Sequence, residues 1–168
     1  EASEARLRAQ NLLTRVYSAL GLVEERWQGL QARGAAEPAI AAEIDDLRAR
    51  AGRLPDVERA SASMDNYQKV TRQALGLDTD IQAAMLQLDR VDALMRESKD
   101  ALTDAQRSLA ETVTMCQDFG RGDAAMQPDL SLSLVARANQ LCQEAEAQRA
   151  EGTLDAYEAA TGRADEAL

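Results

Sequence analysis

The stretch IQAAMLQLDRVDALMRESKDALTDAQRSLAETVTMC, residues 81–116, decides the fold. Its apolar and small residues fall at positions 81, 84, 88, 91, 95, 98, 102, 105, 109, 112 and 116, and the alternation of three and four never slips. Side chains spaced this way lie on one face of a helix, so the segment presents a continuous stripe to lengthwise neighbours. A strand would need alternation of two, which appears nowhere along these residues. At a rise of about 1.5 Å per residue, a helix of some forty residues here is about 60 Å long.

The same rhythm recurs outward from this segment. Ala9, Leu13, Val16, Leu20, Val23, Trp27 and Leu30 repeat it near the start, with Leu12 and Tyr17 widening the stripe beyond that of a two-stranded coil. Gly34 suits the residue just past a helix end, and Pro38 suits the first position of the next helix. Ile40, Ile44, Leu47, Ala51 and Leu54 form a second stripe, continued by Val57, Ala60, Met64, Tyr67, Thr71 and Ala74. Pro55 lies inside it and predicts a kink or short break. Gly76 reads as a terminator and Asp78 as the N-cap that starts the third segment. Gly120, Gly122 and Pro128 punctuate the chain before a stripe through Leu134, Ala138, Leu141, Ala145, Leu154, Tyr157, Ala164 and Leu168, which Gly152 interrupts.

Four helical segments, about 3–34, 38–76, 78–119 and 129–167, predict an all-α fold: an elongated antiparallel up-down-up-down bundle with coiled-coil-like packing, as a single domain over 1–168. The third and fourth stripes, rich in Ala, Ser and Thr, predict close helix approach, while the first supplies bulk. In outline such a chain looks like spectrin-like rods and the helical stalks of envelope proteins, a likeness of pattern alone.

Composition agrees and bounds the function. The chain has 168 residues, 45% apolar but only 3% aromatic, with three prolines and nine glycines. The net charge is −10 and grows along the chain: residues 1–34 carry five basic and four acidic groups, and residues 123–168 carry three and nine. Without a basic face, nucleic acid is not an expected partner. No apolar run is long enough for direct membrane insertion. Seventeen Arg against two Lys, with abundant Ala, suggest a GC-rich bacterium. The opening EASEARLRAQ lacks Met and points to a trimmed chain, extracytoplasmic or in the cell envelope.

Short motifs add little chemistry. Trp27-Gln28-Gly29 resembles the Trp-x-Gly turn of the small helical hairpins exported by type VII systems, but Trp27 sits on an unbroken stripe and the turn comes later, at Gly34. None of Tyr17, Tyr67 and Tyr157 is followed four residues on by the acidic residue of that family's export signal. Trp27 is therefore expected to be core. Arg121-Gly122-Asp123 matches an adhesive tripeptide, and a helix-ending turn requires the same residues. Asp78-Thr79-Asp80 could begin a calcium loop, but Ala83 and Asp89 stand where that loop needs Gly and Glu. Cys116 and Cys142 are out of register by about two turns in an antiparallel hairpin, so free thiols are expected over a disulfide.

With no histidine, Cys-His and Ser-His catalysis and the Glu-x-x-His di-iron site are excluded. The carboxylate pairs Asp45-Asp46 and Asp89/Asp92 fall on polar faces and read as solvating charge. No catalytic, cofactor-binding or metal-binding residue is assigned, and the chain is read as non-enzymatic. The expected function is a structural or protein-interaction domain: a spacer, scaffold or docking rod whose acidic second half faces a protein partner, with a basic protein and a second copy, as a homodimer along the fourth stripe, as the candidates. The alternative is an extracytoplasmic ligand-sensing bundle that takes a small molecule near Pro55 or Gly76.

Overall fold

A computed structural model describes residues 2–55, 57, 63–119 and 128–168. These residues form an all-helical protein: α1 (Ala2–Ala32), α2 (Pro38–Gly52), α3 (Met64–Phe119), α4 (Pro128–Glu151) and α5 (Leu154–Glu166). The described chain divides into two compact units, one made of residues 1–33 and 37–90 and the other of 34–36 and 91–168. Unit 1 thus holds α1, α2 and α3 up to Arg90, and unit 2 holds the rest of α3 with α4 and α5.

In unit 1 the stripes of α1 and α2 became the core. Further along the second stripe Leu54, Met64 and Thr71 are only half-buried, Ala60 lies outside the described residues, and Val70 and Leu77 are buried instead. The seven stripe residues of α1, from Ala9 to Leu30, are the buried residues of that helix, and Trp27 among them is 6% exposed. Ile40, Ile44, Leu47 and Ala51 are likewise the buried set of α2. Val57, Tyr67, Val70, Ala74, Leu77, Ile81, Ala84 and Leu88 supply the third side. Burying such side chains stabilises the fold by about 1.5 to 3 kcal/mol for each large one. Helix directions follow from the polar contacts around this core. Arg15 pairs with Asp78 at 2.7 Å and Arg26 with Asp89 at 2.6 Å, a constant offset, so α1 and α3 run parallel here. Arg48 pairs with Glu24 at 2.7 Å, and the Tyr17 hydroxyl donates to the Ala51 carbonyl at 3.2 Å, so α2 runs against α1.

The helix ends show where local signals held and where they did not. Gly34, at φ +105°, ends the turn after α1, and Pro38 opens α2. The Pro55 break is real: α2 stops at Gly52 and α3 starts at Met64, where the Ser63 hydroxyl accepts the Asn66 N–H at 3.3 Å. The turn expected at Gly76 is absent. α3 runs through it, and Asp78 is an interior helical residue, not an N-cap. Ala74, Leu77 and Ile81 are all buried on one face across the glycine, and that continuous packing outweighs the roughly 1 kcal/mol that a helical Gly costs. Gly152, by contrast, does part the last stripe, so the segments expected at 38–76, 78–119 and 129–167 are redrawn as α2, α3, α4 and α5.

Unit 2 packs small residues. Leu102, Ala105, Cys142, Ala145, Ala160 and Ala164 form its buried cluster, with Ala101, Leu109 and Ala167 against it. Ser98 is wholly buried and satisfied: its hydroxyl donates to the Met95 carbonyl at 3.2 Å and accepts from Arg149 Nε at 3.1 Å. Gln106 reaches Glu146 at 2.6 Å while Ser98 meets Arg149, so α4 runs against α3. α4 and α5, joined by Gly152 and Thr153 alone, are tied by Arg163 and Glu144 at 3.6 Å.

The tightest approach in unit 2 is between two turns. Residues 34–36 join helices of unit 1 but pack in unit 2, where the Ala36 N–H donates to the Gly152 carbonyl at 2.7 Å and the Tyr157 hydroxyl donates to the Gly34 carbonyl at 3.3 Å. Gly152 has φ +74°, and a Cβ placed on it would lie 2.2 Å from the Gly34 oxygen. Only glycine satisfies both conditions. Thr153 then caps α5, its hydroxyl accepting the Ala156 N–H at 3.3 Å.

Candidate functional site

The most chemically distinctive concavity lies beside the end of α2. α2 has 15 residues against the 31 of α1 and ends at Gly52. A cleft of about 350 Å³ opens there, lined by Arg50, Arg53, Leu54, Arg72, Gln73, Gly76 and Leu77. Arg50, in the last turn of α2, donates to Asp80 at 2.6 Å and lies 3.5 Å from Asp46. The hydrogen bond to Asp80 raises the Arg50 pKa despite partial desolvation, so it remains a fixed cation. Among the described residues, the side chains of Arg53 and Arg72 have no ion pair or hydrogen bond. Arg72 also lines a second cleft of about 470 Å³ with Glu4, Arg8, Tyr67, Gln68 and Thr71.

A different surface lies in unit 2, where the stripe of α3 loses its cover: Leu109, Thr112 and Cys116 are only half-buried. With Leu134, Val135, Leu141 and Leu168 they line an apolar groove of about 370 Å³ whose charged walls are Arg137 and Glu166. Met115, Leu132, Leu134 and Leu168 are each more than half exposed.

The sequence motifs fall as follows. Trp27 is core and Gly29 lies within α1, away from any turn. Asp78 is buried and held by Arg15 and by the Gln82 amide at 3.1 Å, while Asp80 turns to Arg50, so the two carboxylates serve different ion pairs. Asp45 and Asp46 pair with Arg48 and Arg50 on the surface of α2. Asp89 pairs with Arg26, but Asp92 is buried and pairs with Arg96, a departure from the solvated face expected of it. Arg121-Gly122-Asp123 lies outside the described residues. Both cysteines are free; burial pushes the Cys142 thiol pKa up, with the Glu146 carboxylate adding to the effect.

No helix of the described residues is long and apolar enough to cross a membrane, and no group of three or more His, Cys, Asp or Glu side chains among them is placed to hold a metal ion. The fold defines the class only as an all-α helical protein. Compared with models of protein families, with curated proteins and with solved structures, the chain matches none.

Proposed function

We propose that this chain is a non-enzymatic structural or protein-interaction domain, an elongated antiparallel bundle with coiled-coil-like packing that serves as spacer, scaffold or docking rod of an exported or envelope protein in a GC-rich bacterium. One observation carries the reading: in the more acidic unit, Leu134 and Leu168 line an apolar groove and stand more than half exposed, as do Met115 and Leu132 of the same unit. Exposed apolar patches with charged surroundings are a common mark of protein contact sites. The acidic surroundings favour a basic partner and speed its encounter, and self-association through the same patch is the variant of this reading in which the partner is a second copy. The test is a pull-down with the intact chain, repeated with charge reversals across residues 123–168 and with Leu134→Glu. Loss of the same partner in both series supports the reading. Binding that survives every substitution overturns it.

A second reading has its own support. A ligand-sensing bundle would take a small molecule near the Pro55 break or Gly76, and the cleft beside α2 lies there, with polar side chains of α2 and α3 converging on it. Thermal-shift screening against a mixed panel of small molecules tests it. A ligand that raises the midpoint of wild type and not of a cleft-filling variant supports it; no shift from any compound overturns it.

A further inference from the structure

We infer that the cleft beside the end of α2 binds a small multivalent oxyanion, a compound carrying clustered phosphate or carboxylate groups; this rests on the ligand-binding reading and gives it a chemical class. Three guanidinium groups line one cleft of about 350 Å³ in a chain of net charge −10, so the site runs against the charge of the whole. They come from two places: Arg50 and Arg53 from the last turn and the cap residue of α2, and Arg72 from α3, beside Gln73. Asp80 and Asp46 neutralise Arg50 and fix its orientation. The cations that have no side-chain partner among the described residues are Arg53 and Arg72.

Two forked cations on one cleft favour a ligand with at least two negative charges, because planar guanidinium groups match the paired oxygens of phosphate and carboxylate. The Gln73 amide adds a further donor. Leu54 and Leu77 make part of the wall apolar, which strengthens charge interactions beside them.

Gly76 is the independent pointer. It is a helix-interior glycine, which lowers stability by about 0.5 to 1 kcal/mol relative to alanine. Its φ is not positive, and a Cβ there would meet nothing within 4 Å. Neither backbone conformation nor close packing therefore calls for glycine. It does line the cleft, where a side chain would stand in the open space. A vacant cleft floor is the property that this residue supplies.

The test is calorimetric titration of the full chain with inorganic pyrophosphate and, separately, with citrate at constant ionic strength. The expected result is saturable one-site binding of at least one of them, weakened about tenfold or more in Arg53→Gln/Arg72→Gln and unchanged in Arg107→Gln, which alters an exposed arginine of unit 2. Gly76→Leu should abolish binding while raising the thermal midpoint, so the loss cannot be put down to unfolding. Stronger binding of pyrophosphate assigns the phosphate source, and stronger binding of citrate the carboxylate source. Binding of neither anion, or binding undiminished in the double variant, overturns the inference. The broader ligand reading fails separately: a neutral compound that stabilises wild type but not Gly76→Leu would sink the oxyanion class and leave the cleft a ligand site, whereas no stabilisation by any small molecule sinks both.

Discussion

Units 1 and 2 are built from the same three-and-four rhythm with different proportions of large and small side chains. Unit 1 fills its centre with Leu, Ile, Val, Tyr and Trp and ties its helices together with arginine-carboxylate pairs such as Arg15–Asp78 and Arg48–Glu24. Unit 2 sets Ala105, Ala145, Ala160 and Ala164, with Ser98 and Cys142, beside a smaller set of large side chains: Val91, Met95, Leu102, Leu141 and Tyr157. The electrostatic difference runs the same way. Unit 1 carries 12 basic and 14 acidic residues, net −2, and unit 2 carries 7 and 15, net −8, which together give the −10 of the chain. Helix packing can be held by the volume of its side chains or by the nearness of its backbones, and the balance leans toward volume in unit 1 and toward small residues in unit 2.

Four measurements would break or sharpen that contrast. The largest effect belongs to Gly152→Ala, which forces a side chain into a positive-φ position already occupied by the Gly34 carbonyl. Denaturant unfolding should show a loss of about 3 to 5 kcal/mol. Gly34→Ala, strained but unobstructed, should lose less than half of that. Next comes truncation in the bulky core: Leu88→Ala, at a fully buried position of unit 1, should cost about 3 kcal/mol by the same measurement. Enlargement is the complementary insult to unit 2, where Ala160→Leu should cost about 2 kcal/mol by overpacking. If native-state hydrogen exchange assigned these losses to the opposite units, the division into volume-held and proximity-held cores would be wrong.

The smallest effect is a pH dependence confined to unit 2. Burial raises the Cys142 pKa above its ordinary value, so the folded state keeps the thiol proton that the unfolded chain gives up. The stability this supplies is fully present below the ordinary thiol range and is lost as pH rises past about 8.5 and through the raised folded value. Cys142→Ala should remove that slope. In a thiol-labelling assay at neutral pH, half-buried Cys116 should react well before Cys142.

The fold was legible where burial and spacing speak for each other. In α1, α2 and residues 81–105 of α3 the three-and-four pattern names the buried face residue by residue. It fades at Leu109, Thr112 and Cys116, which sit on the stripe yet are only half covered, because a period reports which face is apolar and not whether a neighbour reaches it. Local punctuation misled at Gly76 and Asp78, a pairing that imitates a helix stop and start, because it says nothing of the packing on either side. The cleft was half legible. Pro55 and Gly76 marked its place, but Arg72 lies too far in sequence from Arg50 and Arg53 to form a motif with them, and only the fold brings the three to one opening.

The seating of residues 34–36 among α4 and α5 has a practical consequence for anyone dividing the gene. No single cut yields a self-contained half. A fragment ending near residue 90 would keep the α1–α2 turn but lose the platform beneath it, and the complementary fragment would leave Gly152 bare of the strand of backbone it evolved to admit. The two parts are interleaved along the polypeptide, so expression trials should begin from the intact reading frame and vary single residues.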